Sequence, residues 1–575
     1  MDNKRFWLAL ALSVATVFVV QKLFPTYYGH GGLSKTIADA MVAPKPAPTG
    51  APETSPQNTP SVIPATGKLS GPVADSIAAK VAQAVRAETT IVIGRPDSGA
   101  QYVMSSVGAT PISVVMNAFA NRSRASGKVN LAMPGMPVLK YQLIANQGAA
   151  VDLSATPFSV TQQGNTLTYQ TGATPTVPAV SIQYLFAPDS YTVHVSGMVT
   201  GAKTGDLVVN LPTTFPMTEA DTADDRNYLA YAYYSKREGA KNIAFRSLDP
   251  GEQTPVVEPL QWVAAKSKYF VVGLLAPKNG SWLSEATFVG GARTSKVATN
   301  AAAAIAVPIH DGTFAFDLYT GPQSLRRLEH LGRNFDEVNP YGWAFFRSVM
   351  QPIAFGVTRL VLWMHERLSL SYGLVVVLLG VLVRLVLWPL NQGAMRSSLK
   401  MQDLQPKLQS IQNKYKDNPE KQRTEIMKVY SEHGMSPLSP LLGCLPMLLP
   451  MPVLFALYFV FRNTIEFRGV SFLWLTDLSS RDPYFILPVI MGISMFLLSW
   501  IGMRNSPPNP QAKMMGYMMP VMFVVFLVRA ASGLNLYYAV QNLAALPQQW
   551  LLARERAKRG ITEPLRPPTP FYPRS

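Results

Sequence analysis

The sequence predicts a polytopic α-helical membrane protein with six transmembrane helices, a large external β-sandwich domain and an internal helical hairpin. Three observations predict this class. Hydrophobic residues make up 48% of the 575-residue chain and charged residues 15%, too apolar for a disordered or ordinary soluble chain. Long apolar runs lie near the N-terminus and in the C-terminal part, with a long stretch of short β-like runs between them. The third observation is where the charge sits. Of the net charge of +17, residues 1–29 hold three basic and one acidic residue, residues 30–340 hold 24 and 22, and residues 341–575 hold 24 and 11. The excess is therefore C-terminal, which suits topology signals better than a nucleic-acid-binding surface. One cysteine excludes an intramolecular disulfide and any CxxC zinc or redox motif.

Residues 1–29 read as an N-terminal signal-anchor helix. Lys4-Arg5 precede an apolar run from Phe6 to Val20. A cleavable signal needs small residues next, whereas Lys22, Leu23, Phe24 and Pro25 follow. The basic flank places the N-terminus inside. Residues 30–85 form a Pro/Ala-rich linker, with seven prolines from Pro44 to Pro64, too poor in apolar surface to fold.

Residues 86–340 are the expected β-sandwich. Thr89–Ile93, Ile112–Met116, Ser181–Phe186, Tyr191–Val199, Tyr269–Leu274 and Thr313–Tyr319 are short β-like runs. Pro188-Asp189-Ser190 marks a hairpin, after which Thr192, His194 and Ser196 alternate with Val193 and Val195. His194 reads as a solvent-facing strand residue, and no second ligand stands at metal spacing from it. Residues 341–370 are expected to be an amphipathic helix in the membrane interface, with Trp343, Phe346, Met350, Ile353, Val357, Leu360 and Met364 on its apolar stripe. A helix packed on the β domain is the alternative.

Residues 371–552 hold five spans, at Tyr372–Leu390, Leu441–Phe461, Tyr484–Ile501, Met514–Val528 and Leu534–Leu552. Alternation from an inside N-terminus leaves the β domain outside and residues 391–440 inside. That inside segment steps apolar residues through Leu404, Leu408, Ile411 and Tyr415, and Asn418-Pro419-Glu420 starts a second helix with Ile426, Val429 and Tyr430. An antiparallel hairpin follows, carrying Lys407, Lys414, Lys416, Lys421 and Arg423. The basic tail, 553–575, is also inside, in agreement with the charge bias.

Arg384 is the sharpest chemical signal. It sits within an apolar span, where it stays charged at a cost of roughly 2.5–3.5 kcal/mol. It either faces a water-filled cavity or snorkels to the inner interface near Trp388-Pro389. In the last span Asn535, Tyr538 and Asn542 lie near one helical face, beside Tyr537 and Gln541. Such a stripe makes interhelical hydrogen bonds or lines a wet groove, and spacing alone does not choose. No phosphate loop, HExxH or nucleophile-elbow motif is present, so no enzyme activity, metal or cofactor is expected.

Arg384 followed by Trp388-Pro389-Leu390, Ser436-Pro437-Leu438, Gly443-Cys444-Leu445-Pro446 and Met451-Pro452 resembles the YidC membrane insertases. Asp482-Pro483-Tyr484, Met519-Pro520 and Ser532-Gly533-Leu534 with Tyr537-Tyr538 extend the likeness over roughly 341–560. The large domain after an anchor is similar to the Gram-negative form. The resemblance implies a multi-pass protein of the cell inner membrane, with both termini cytoplasmic and the β domain periplasmic. It implies an insertase and chaperone that integrates membrane proteins, alone or with the Sec translocon, through a hydrophilic groove containing Arg384. Met451, Asn535, Tyr538 and Gln541 would complete that groove. Nascent membrane proteins, the ribosome (through hairpin and tail) and the phospholipid bilayer are the expected partners. The sequence departs from the family pattern at Gly380 and Pro450, and Arg529 adds a charge near the outer end of the fifth span. The competing readings are a small-solute anion transporter using Arg384 and an enzyme whose β domain binds carbohydrate.

Overall fold

The computed structural model of the chain describes residues 88–94, 99–146, 150–174, 177–187, 191–293, 298–339, 347–386, 388, 404, 407–432, 451–503 and 510–558. The expected anchor, the linker, Trp343, Phe346, residues 433–450 and the tail from 559 lie outside the described residues. The chain divides into two compact units. One comprises Met1–Gly239, Ile243–Lys268 and Val272–Gly321; the other comprises Ala240–Asn242, Tyr269–Val271 and Pro322–Ser575.

Among the described residues the first unit is mainly strands, with one short α-helix, α1 (Thr222–Arg226). A four-stranded sheet joins β1 (Thr90–Ile93), β2 (Ala100–Ser105), β3 (Thr110–Ala120) and β4 (Lys128–Asn130) in that order. The larger sheet begins with β5 (Lys140–Ala145), β6 (Val151–Asp152), β7 (Ser159–Gln163), β8 (Thr166–Thr171), β9 (Val180–Phe186) and β10 (Thr192–Val199). It continues through β11 (Thr204–Asn210), β12 (Ala230–Ser235), β13 (Gly239–Ala244), β14 (Gln253–Val256) and β15 (Leu260–Lys266). It ends with β16 (Phe270–Leu275), β17 (Glu285–Gly290), β18 (Ala301–His310) and β19 (Thr313–Pro322).

That sheet has two limbs. One runs β13-β12-β15-β16-β19-β10-β9-β8-β7, and the other runs β6-β5-β11-β18-β17-β14. They join at the β18–β19 hairpin, where Asp311 and Gly312 take the positive φ values that a tight turn requires. Contacts between limbs identify the two inner faces. The Tyr141 hydroxyl on β5 donates to Tyr184 on β9 at 2.6 Å, and Tyr184 donates to the Ala109 carbonyl at 2.6 Å. Tyr231 of β12 meets Phe288 of β17 with ring centroids 5.5 Å apart. Burying these large rings supplies the main apolar driving force.

The sequence pattern explains the layers. β9 alternates, with Val180, Ile182, Tyr184 and Phe186 inward and Gln183 and Leu185 outward. β16 is apolar throughout and buried at all six positions, as a strand covered on both faces must be. The expected β9–β10 hairpin pairs antiparallel. His194 and Ser196 face out as their alternation predicts, but Thr192 is buried at the strand's start.

The second unit is helical: α2 (Leu325–Leu331), α3 (Arg347–Leu368), α4 (Tyr372–Val386), α5 (Pro419–Glu432), α6 (Met451–Asn463), α7 (Ile486–Met503), α8 (Pro510–Leu527) and α9 (Ser532–Lys558). Five of these match the expected spans in position. Among the described residues, however, Ile486–Met503 alone is long and apolar enough to cross a membrane by itself, or two spans qualify if the bent α3–α4 pair counts as one. The chain turns through 119° between α3 and α4, so α3 does not extend the α4 span.

The face of α3 differs from the expected stripe. Met350, Ala354, Thr358, Val361, Leu362 and Met364 are buried, whereas Ile353, Val357 and Leu360 are only half-buried and Trp363 is exposed. α3 packs against α6, and that helix selects the face that is covered. Arg359 leaves this face to pair with Glu329 of α2 at 2.6 Å. Arg529 is exposed in the turn just past the end of α8, where the sequence put it.

The segment expected to form the hairpin contains two described helical stretches. Helical residues 407–414 and α5 bring Leu404 and Leu408 against Tyr430, with Ile426, Met427 and Val429 alongside. Asn418 caps α5 by accepting the Lys421 N–H at 3.1 Å. Lys407, Lys414, Lys416, Lys421 and Arg423 are all on exposed positions.

Candidate functional site

α4 and α9 cross closely, and Gly380 is the reason. A Cβ there would lie 3.1 Å from Val540 Cγ1 and 3.3 Å from the Tyr537 carbonyl oxygen. The departure from the family pattern at this position therefore permits a tight helix–helix contact, as small residues do in membrane bundles. One turn beyond, the same crossing brings Arg384 to Gln548, whose Oε1 accepts from Arg384 Nη2 at 2.5 Å.

This pair forms the centre of the site. Gln548 is fully buried and Arg384 is half-buried. Arg384 Nε and Gln548 Nε2 are both buried without a hydrogen-bond partner. Among the described residues no carboxylate lies within ion-pair distance of Arg384. The guanidinium is therefore charged, oriented by a neutral amide, and left with unused donor capacity. Leu382, Leu385 and Val386 beside it are exposed apolar residues, as on a lipid-facing helix surface.

The polar residues of α9 take separate partners rather than forming one stripe. Asn535 is fully buried and donates to the Leu527 carbonyl at the end of α8 at 3.1 Å. Asn542 donates to Ser494 of α7 at 3.1 Å. Both act as interhelical ties. Tyr538 is half-buried and meets the buried Tyr537 edge-on at 5.2 Å. Gln541 is half-buried, and α6 begins at Met451. Gln548 is the residue that sequence reasoning missed. It lies outside the Asn535–Asn542 cluster, two turns nearer the chain end, and a polar residue near a helix end reads as interfacial. Its spacing of 13 from Asn535 placed it in the same span, which was the available signal.

The opposite end of α4 is closed by the segment between α6 and α7. Gly373 admits Phe472, whose ring would lie 2.1 Å from a Cβ at that position. Asp482 is fully buried and accepts the Tyr484 and Leu487 N–H groups at 3.1 and 2.7 Å, with Trp474 Nε1 at 3.3 Å. Asp477 accepts from Ser479 and Ser480, and its own carbonyl accepts from Ser532 at the start of α9. Arg384 lies 11 residues beyond Gly373, or about 16 Å along the helix.

Comparison with known proteins supports one family. The 60Kd inner membrane protein family matches residues 363–559, and the YidC periplasmic domain family matches residues 100–354. A membrane protein insertase YidC from Anaeromyxobacter dehalogenans strain 2CP-1 is 33% identical over 425 residues, covering 71% of this chain and 74% of that protein. A second, from Anaeromyxobacter sp. strain K, is 36% identical over 324 residues, 56% of each chain. A crystal structure of an active YidC insertase aligns at 18% identity with a TM-score of 0.33, over 83% of this chain and 98% of that one. The two family matches fall in turn on most of the β unit and on the helical C-terminal region. The chain belongs to the YidC family of membrane protein insertases.

Proposed function

We propose that this chain integrates membrane proteins by presenting Arg384 to the polar end of an incoming segment while that segment's apolar span partitions into lipid. The observation that carries this reading is a charged guanidinium held by one neutral amide, with buried donor capacity left over. A half-buried charge without a counter-ion among the described residues favours an acidic or polar group arriving from outside the protein. Hydrophobic transfer of the client span supplies the drive, at about 25 cal/mol per Å² removed from water. The closed end at Phe472 and Asp482 would keep the groove from becoming a pore, so the groove opens to the cytoplasm and to lipid.

In this reading the chain crosses the inner membrane six times, with both termini in the cytoplasm and the β unit in the periplasm. The 407–432 hairpin and the basic tail lie on the cytoplasmic side and meet ribosomes and nascent chains. Met451, Tyr538, Asn535 and Gln541 line or brace the client path, and the Sec translocon is a working partner. No chemical step is catalysed; the process is partitioning.

The test is to deplete the protein, replace it with Arg384→Ala at equal abundance, and quantify newly made membrane proteins. Membrane proteins with short translocated tails are expected to lose integration, and the wild-type chain restores it. Full integration with the Arg384→Ala protein would overturn the proposal, and Arg384-dependent anion flux in proteoliposomes without integration would replace it with transport.

A further inference from the structure

A cavity of about 600 Å³ opens on one face of the larger sheet of the β unit. Its floor is a regular array. Thr168, Gln183, Ser196 and Ala315 are neighbours along one rung across β8, β9, β10 and β19. The next rung adds Ser181, Met198 and Thr313. Pro277–Ser281 and the Pro308–His310 end of β18 make the walls.

Three properties define what this cavity can hold. The lining contains no lysine, arginine, aspartate or glutamate, so it does not select an ion. The side chains of Thr168, Ser181, Gln183, Ser196 and Ser281 make no hydrogen bond to any described residue, so five polar groups converge with their capacity unused. Met198, Pro277 and Pro308 add apolar surface between them. The backbone is not available for recognition, because β8, β9, β10 and β19 are each paired on both sides. An added peptide strand needs a free sheet edge, so a peptide is disfavoured here. Hydroxyl and amide groups spaced between apolar patches suit a neutral molecule with many hydroxyls and exposed C–H faces.

His194 extends the floor by one rung. Its partner across the ladder is Asp317, whose carboxylate accepts from His194 Nδ1 at 2.5 Å. Asp317 is buried while the His194 side chain is 56% exposed. The carboxylate orients the ring through Nδ1 and leaves Nε2 without a partner among the described residues. The Asp317 partner gives His194 a role beyond that of a solvent-facing strand residue.

We infer that this face of the β unit binds a neutral oligosaccharide, with Thr168, Gln183 and Ser196 as the hydrogen-bonding floor and His194 at its margin. The inference does not depend on the insertase reading, and its test is separate. The full-length protein in lipid nanodiscs is titrated with maltotriose, cellotriose and chitotriose, and with an uncharged hexapeptide, by saturation-transfer NMR. At least one trisaccharide is expected to receive transfer from the protein. That affinity falls about tenfold or more in Gln183→Ala/Ser196→Ala, where two hydrogen bonds are lost, and falls also in His194→Ala. All three positions are exposed on the strands, and an unchanged circular dichroism spectrum and melting midpoint confirm that the variants fold. Absence of transfer to every trisaccharide, equal transfer with the double variant, or stronger transfer to the hexapeptide overturns the inference.

Discussion

Gln548→Leu is the perturbation that separates an oriented arginine from a merely tolerated one. Gln548 is fully buried and supplies the acceptor for Arg384 Nη2 at 2.5 Å, while Arg384 Nε already has no partner. Leucine is of similar size, so the helix contact survives and the acceptor is lost. A hydrogen bond to a charged group contributes about 1.5–3 kcal/mol. That loss reduces the population of the oriented guanidinium roughly 10- to 150-fold. The assay is the initial rate of integration of a single-span protein with a short acidic tail into proteoliposomes. The double-mutant cycle with Arg384→Ala is the decisive design. Gln548→Leu is expected to slow integration at least tenfold in the Arg384 background and to change little once Arg384 is alanine. Gln548→Glu is expected to slow it as well, although it gives the arginine a counter-ion, because a resident carboxylate occupies the group meant for the client. Equal effects of Gln548→Leu in both backgrounds, or faster integration with Gln548→Glu, would refute the reasoning.

Other parts of the structure make their own predictions. Gly380→Leu forces α4 and α9 apart at Val540 and Tyr537, and is expected to lower stability by about 1–3 kcal/mol in detergent melts, with Gly380→Ala much milder. Asp482→Ala leaves the Tyr484 and Leu487 N–H groups without their buried acceptor, at a cost of roughly 2–4 kcal/mol, and hydrogen exchange should rise across 474–487. In the β unit, burial pushes the Asp225 carboxyl up to about 6 from its ordinary 3.8, with Glu219 adding to the shift. The folded state therefore binds the proton more tightly than the unfolded state. Asp225 thus disfavours folding at pH 7, and this penalty is relieved as pH falls through about 6 and is gone below about 4. The difference amounts to roughly 2 kcal/mol between pH 4 and pH 7. Asp225→Asn should flatten that part of the profile, measured as the melting midpoint of wild type against variant at both pH values.

Particular residues show how far the sequence carries. Strand positions in the β unit were legible because period-2 runs such as Val180–Phe186 have one buried and one wet face. Helix α5 was legible because Asn418-Pro419-Glu420 is a local start signal that needs no distant partner. Arg384 announced itself, since a charge in an apolar run has few tolerated settings. What failed was partner choice. Asn535 and Asn542 share a helical face in sequence, yet Asn535 is tied to the end of α8 and Asn542 to α7. Gln548 and Asp317 were missed for the same reason. Each acquires its role from a residue 164 or 123 positions away in the chain, which no local periodicity encodes. The stripe on α3 shifted because contact with α6, rather than its own apolar moment, selects the buried face.

The central claim is that clients pass along the helices that flank Arg384. It is tested most directly by placing a photo-crosslinking residue at Tyr538, beside the α4–α9 crossing, and another at Ile493, an exposed position on α7. Translation of a membrane protein is stalled with its first span just outside the ribosome, and the sample is irradiated. The account predicts strong capture at 538, weakened by Arg384→Ala, and only background at 493. Equal capture at the two positions would contradict it.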